Sequence, residues 1–319
     1  MRAQLGVMLV SVCTACSFDP SYKRPNAPVP QRFPQGEAYA GLAAASGKGL
    51  LRWHELFRHP GLRHVTENAL QHNRDLRVAL ANVRSARAAY ALAHARVYPS
   101  VGVTAGADVV GTRDAGLSRH DFSVMLGAGA WEIDVFGRLS SLSRAARERY
   151  LATRAGMDAV RLTVISETAR AWLSVCTERN LLAIARQTEA SASASADVTR
   201  SRFEGGVSSE LDVRQAETIL AQARSDVAVY LTTQAQAENA LRLLVGHALD
   251  AREVPDDFGS SETWLAQVPA GVDSQVLLAR PEVQEAEHAL RAAHADIGAA
   301  RAAFFPRLRL TELGGFMGD

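Results

Sequence analysis

The sequence predicts a mainly α fold with a small β part. Long antiparallel helical hairpins accompany membrane-barrel strands in an internal two-fold repeat whose second copy is incomplete. Three observations carry this. Residues 100–254 contain no proline. Two segments of barrel-strand length, "SVGVTAGADVVG" and "DFSVMLGAGA", alternate small or apolar residues with polar ones or glycine. The sequence also matches itself at an offset of 207 positions, helix over helix and strand over strand.

The chain opens on "MRAQLGVMLVSVCTAC", in which Arg2 precedes the short apolar run Leu5 to Val12 and then small residues. That is the layout of a secretory signal, removed on export and distinct from a transmembrane helix. "CTAC" resembles the box that ends bacterial lipoprotein signals, with Cys13 where leucine is usual, and makes Cys16 the candidate lipidated residue. An ordinary signal with an incidental cysteine is the other reading. Ser17 in place of Asp directs such a lipoprotein to the outer membrane. Five prolines between Pro20 and Pro34 make residues 16–50 an extended arm that can lie along a surface.

From about Leu139 to Phe203 the chain is rich in Ala, Arg, Leu, Glu and Gln, and Gly156 is its one glycine. Some 65 residues of helix span roughly 98 Å, about three bilayer cores. No window holds the 18 consecutive apolar residues of a span, so the helix stands in water. Its length demands lateral packing on another long helix. "FEGGVSSELDV" supplies the breakers Gly205 and Gly206, then Ser209 with Asp212 as a capping box for a helix to about Val245. Residues 137–246 thus read as one hairpin with a tight tip.

In the self-match, residues 75–103 lie over 282–310 with seven identities, among them Arg84 on Arg291 and Pro99 on Pro306. The implied division is a signal (1–15), the arm (16–50), first-repeat helices (51–98), two strands (99–136), the hairpin (137–246), a connector (247–280), and a second copy (281–319) of helix and incomplete strand. "ELGGFMGD" drifts from strand alternation, as a frameshift would cause. The expectation is about two thirds of a two-repeat protein. Two complete strands fall short of the roughly eight of the smallest membrane barrels, and open edges cannot face lipid. A soluble two-stranded hairpin remains the alternative for the strand pair.

Five segments in order carry a family resemblance: "CSFDPSYKRPNAPVP", "RWHELFRHPGLRHVTENALQHNRDLRVALANVRSARA", "WEIDVFGRLSS", "RFEGGVSSELDVRQAE" and "LLARPEVQEAEHALRAAHADIGAARAAFFPRLRLT". The chain resembles TolC-like outer-membrane factors of tripartite efflux pumps, in their lipoprotein branch. The resemblance implies a homotrimer in which each protomer gives four strands to a twelve-stranded barrel and helices to a periplasmic α-barrel tunnel. It implies as partners a periplasmic adaptor, an inner-membrane efflux transporter and outer-membrane lipid, with drugs or other small solutes as cargo. It places Gly206 and Val207 at the adaptor-contacting turn and Asp212 on the aspartate that helps hold the pore shut. The usual tyrosine and arginine partners of that aspartate belong to a second hairpin outside this sequence. An acid in a first helical turn also answers free N–H groups and the dipole.

A net charge of +1 gives no footprint for nucleic acid. No nucleophile elbow, phosphate loop or dinucleotide fingerprint appears, and the sequence predicts no enzyme, cofactor or metal site. "HELFRH" sets His54 and His59 five apart, on different faces of a helix, which reads as plain surface. His288 and His294, six apart, read the same way. Cys176 reads as a small buried hydrophobe. The alternative function is a periplasmic adaptor-type coiled-coil lipoprotein, against which the repeated helix-plus-strand flanks argue; a purely structural coiled coil is a third.

Overall fold

The computed structural model describes residues 18–26, 51–111, 118–248, 253–255, 264–266 and 274–318. The signal segment, Cys13 and Cys16 lie outside them. In order, the elements are α1 (Trp53–Leu56), α2 (Pro60–His72), α3 (Arg74–Ala95), β1 (Val101–Gly111), β2 (Ser118–Ile133), α4 (Arg138–Glu204), α5 (Glu210–Val245), a 3-10 turn (Ser274–Ala279), α6 (Pro281–Ala302) and β3 (Leu308–Gly318). The long hairpin, α4 then α5, follows the proline-free composition. Among the described residues no helix is long and apolar enough to cross a membrane.

The chain divides into two units, one made of Met1–Pro28, Leu80–Gly156 and Leu278–Asp319, the other of Val29–Ala79 and Met157–Leu277. In the second unit Leu62, Val65, Trp172, Val175, Cys176, Leu241 and Val245 are fully buried together. Trp172 donates its indole N–H to the Glu253 carbonyl at 3.0 Å and meets Trp264 edge-on at 5.1 Å, so the connector is held on this core. Burial pushes the Cys176 thiol up to about 12, which makes it inert packing. Asn73 caps α3, its Oδ1 accepting from the Asp75 and Leu76 N–H groups. Its Nδ2 donates to the Leu244 carbonyl at 2.8 Å and ties the end of α2 to α5.

"HELFRH" corrects the sequence reading. α1 ends at Leu56, and His59 caps α2, its Nδ1 accepting from the Gly61 N–H at 3.1 Å. The two histidines therefore share no helix surface. The His59 ring sits 5.0 Å from Trp172 and 5.2 Å from Trp264, and burial lowers its pKa.

The first unit holds an antiparallel sheet in the order β1-β2-β3. The register Val103 to Leu126 to Gly314 and Ala105 to Val124 to Phe316 gathers Val101, Val103, Phe122, Val124, Leu126, Leu308, Leu310 and Phe316 on one face. All eight are exposed, Val101 at 74% and Phe316 at 88%. Such an apolar face is a surface made for lipid or a partner. β2 extends beyond the expected 121–130 at both ends: residues 118–120 pair with residues 109–111 of β1, and a bulge between Ala128 and Trp131 lets the other end absorb an extra residue and keep pairing with β3.

The second copy also differs from expectation. β3 is as long as β1 and pairs with β2 as far as Gly318, so "ELGGFMG" is strand despite its drifting alternation. The physical reason is Gly315: a Cβ there would overlap the Val124 carbonyl oxygen, so glycine lets the strands close up. The repeat itself is reproduced at every boundary. Arg74–Ala95 and Val101–Gly111 reappear 207 positions later as Pro281–Ala302 and Leu308–Gly318.

Candidate functional site at the hairpin tip and the strand–helix elbow

The tip between α4 and α5 is built almost entirely by capping. Gly206 N–H donates to the Phe203 carbonyl at 2.9 Å and Val207 N–H to the Arg202 carbonyl at 2.8 Å, the paired bonds of a Schellman ending. Gly206 takes φ 74°, a left-handed conformation open to glycine at no steric cost. Three residues after Gly206, Ser209 caps α5. Its hydroxyl accepts from the Asp212 N–H at 3.3 Å, while its own N–H donates to Asp212 Oδ2 at 2.9 Å.

Asp212 gathers three donors on one oxygen. The Ser208 and Ser209 hydroxyls add bonds of 3.0 and 2.8 Å to Oδ2. The Ser209 backbone bond first, then the two hydroxyls, hold its carboxyl below the ordinary aspartate range, so it is ionised. Its Oδ1 accepts no hydrogen bond among the described residues. A recess of about 210 Å³ opens beside it, lined by Ala192, Ser195, Thr199 and Ile219. An Arg200–Glu217 ion pair of 2.7 Å ties α4 to α5 two turns from the tip, extended by Arg214 at 3.0 Å to Glu217. The turn thus presents Val207, 70% exposed, on rigid backbone, with Leu211 exposed beside it. Gly206, Val207 and Asp212 come together here.

At the other end of α4, "WEIDVFGRLSS" forms the elbow from strand to helix. Trp131 donates its indole N–H to the Val97 carbonyl at 3.0 Å, and Glu132 pairs with Arg138 at 2.7 Å. Asp134 caps α4 by accepting from Leu139 and Ser140 N–H at 2.9 and 2.7 Å. Phe136 stacks on Phe305 at 4.6 Å. Trp131, Glu132, Asp134, Phe136 and Arg138 of the motif therefore each have a mechanical task.

The seat of the N-terminal arm is not among the sites to which the sequence points. Phe18 continues the elbow stack, 5.2 Å from Phe305. Asp19 accepts from Ser141 Oγ at 2.8 Å and from Arg144 at 2.7 Å. Tyr22 donates to Glu287 at 3.1 Å and lies under the Arg291 guanidinium and edge-on to His294. Arg24 pairs with the same glutamate, whose carboxyl is held down first by that bond. His288 instead pairs with Glu148 at 2.7 Å. The available signal was Gly298 in mid-helix, where any side chain would overlap Asp19.

Residues 65–247 and 272–315 match the family described as outer membrane efflux protein. The solvent efflux pump outer membrane protein SrpC of Pseudomonas putida is 39% identical over 307 residues, covering 94% of this chain. The chain spans 65% of that relative's length. The cation efflux system protein CusC of Escherichia coli O157:H7 is 37% identical, over 93% of this chain and 64% of its own. A crystal structure of CusC superposes with a TM-score of 0.80 at 35% identity, covering 95% of this chain and 68% of the other. A membrane protein from Pseudomonas aeruginosa gives 0.81 at 31% identity, covering 95% and 73%. With a strand sheet bearing an apolar face, an elbow, a long helical hairpin and a family match across most of its length, the chain belongs to the outer membrane efflux protein family.

Proposed function

We propose that the chain is an outer-membrane channel subunit of a tripartite efflux pump, a passive export conduit for small solutes or drugs. Three copies surround one axis, Cys16 carries the acyl anchor, and a periplasmic adaptor and an inner-membrane transporter complete the pump. The observation that carries this reading is the sheet whose apolar face is wholly exposed, joined through one capped elbow to a 67-residue helix with no membrane-spanning window. Lipid suits the first and water the second. The names of the relatives support export of solvents, toluene or cations by those proteins; cargo here is a property of the assembled tunnel.

The rigid, exposed turn at Gly206 and Val207 suits contact with the adaptor. Asp212, ionised and with one oxygen uncommitted, suits a gate in which three copies meet a cationic partner. The test is expression of the gene together with an efflux adaptor and an inner-membrane transporter in a host lacking its own outer-membrane channel. Outer-membrane flotation with restored tolerance to pump substrates is expected. Recovery in the inner membrane without restored tolerance overturns the reading in favour of an adaptor. A cysteine-directed cross-linker at Val207→Cys should capture the adaptor.

Two substitutions separate gate from cap. In a barrel completed by further strands, Asp212→Asn should raise single-channel conductance in planar bilayers. Ser209→Ala, which weakens the cap by about 1 kcal/mol and keeps the charge, should not. Equal conductance changes in both would reduce Asp212 to a capping residue.

A further inference from the structure

We infer that His72 and His247 form a two-imidazole site for a borderline transition-metal cation, divalent zinc, nickel or copper, which staples the end of α2 to the end of α5. The inference stands apart from the channel reading.

The two histidines are far apart in sequence and side by side in the fold. His72 is the last residue of α2, and His247 follows Gly246, the residue at which α5 stops. Gly246 permits the meeting in two ways. Its φ of 83° turns the chain out of the helix, and a Cβ there would lie 2.7 Å from the His72 carbonyl oxygen, so glycine lets the two ends close up. Asn73 Nδ2 locks them together by donating to the Leu244 carbonyl at 2.8 Å. The imidazole rings then stand 5.1 Å apart, centroid to centroid, and nearly perpendicular at 88°.

Each ring has one nitrogen committed to backbone. His72 Nδ1 faces the Asn68 carbonyl at 3.1 Å, and His247 Nδ1 faces the Ala248 carbonyl at 2.5 Å. A carbonyl oxygen only accepts, so both Nδ1 atoms carry the proton and both neutral rings keep a lone pair on Nε2. Neither Nε2 has a hydrogen-bond partner among the described residues. An Nδ1–H held by a carbonyl is the outer-shell contact that orients a metal-binding imidazole and raises its basicity. Two imidazoles sharing a tetrahedral ion, each nitrogen about 2.0–2.1 Å from it, have ring centres roughly 5 Å apart, which is the separation seen.

Imidazole nitrogen suits zinc, copper and nickel, whereas magnesium and calcium take oxygen. Among the described residues no group of three or more ligating side chains exists, so the pair is the whole protein contribution there. Two positions of the tetrahedron are left to water, both rings are only half-buried, and the ion exchanges with solvent. At the 207-residue offset the counterpart of His72 is Ala279, so the staple belongs to the first copy alone. An edge-on pair of imidazoles also packs without an ion, and the experiment separates the two.

The test is calorimetric titration of the full untagged chain in detergent micelles with zinc chloride, with magnesium chloride as control. One zinc per chain and no response to magnesium are expected. His72→Ala and His247→Ala should each weaken zinc binding tenfold or more, whereas His54→Ala, exposed on α1, should leave it unchanged. Equal affinity in wild type and both site variants overturns the site, as does an equal loss in His54→Ala. Because either site variant also loses ring packing, copper(II) electron paramagnetic resonance reads the ligands directly. Hyperfine coupling to two imidazole nitrogens in the wild type and to one in each variant is expected; one coupled nitrogen or none in the wild type leaves only a packed pair and overturns the proposal.

Discussion

The two copies of the helix–strand unit, α3–β1 and α6–β3, have identical lengths and very different surroundings. α3 has no buried residue, whereas α6 buries Ala292, Ala295, Gly298, Ala299 and Ala302. Where the second copy has Glu287, Gly298 and Phe305, the first has Leu80, Ala91 and Tyr98. The backbone plan survives on periodicity and the closing proline. The side chains answer to the neighbours each copy meets, and α6 meets the arm and α4.

Exchanging residues between copies tests that account. The largest effect is expected for Gly298→Leu, which fills space taken by Asp19. A loss of about 1–3 kcal/mol in denaturant unfolding follows from overpacking. An unchanged midpoint would mean that the copies are equivalent after all.

Glu287→Leu, which gives α6 the residue of α3, removes partners of Arg24, Tyr22 and Arg291. The expected loss is about 1 kcal/mol at neutral pH. The Arg24 bond first, then Tyr22, depresses the Glu287 carboxyl in the folded protein. Its contribution is therefore complete above the ordinary glutamate pKa and fades as pH falls through the depressed value. The gap between wild type and variant should close in acid; a gap independent of pH would assign the loss to packing.

Smallest should be Ala91→Leu in α3, within about 0.5 kcal/mol by the same unfolding assay, as for exposed positions without special contacts. A cost matching Gly298→Leu would show that α3 too has an occupant.

The hairpin was legible because its signals are local. Proline's absence, the paired glycines and Ser209 with Asp212 fix helix ends within one turn of chain, and the observed ends, Glu204 and Val245, follow them. The repeat was legible because its offset is constant. Less visible were features made by distant partners. The arm seat joins residues more than a hundred positions apart, and Gly298 has meaning only once Asp19 lies on it. "HELFRH" misled because capping by His59 depends on the turn between α1 and α2, which spacing alone does not reveal. β3 misled because strict alternation was demanded of a strand whose Gly315 serves backbone approach.

The sheet's bare hydrophobic face bears on how the molecule can be handled. Eight exposed apolar side chains across three short ribbons will adhere to any similar surface in plain buffer, so extraction needs a detergent belt around that end. The α4–α5 hairpin carries arginine–glutamate pairs instead. Choosing a micelle that wraps the ribbons and stops at the Phe136–Phe305 stack decides whether purified material is fit for cryo-microscopy.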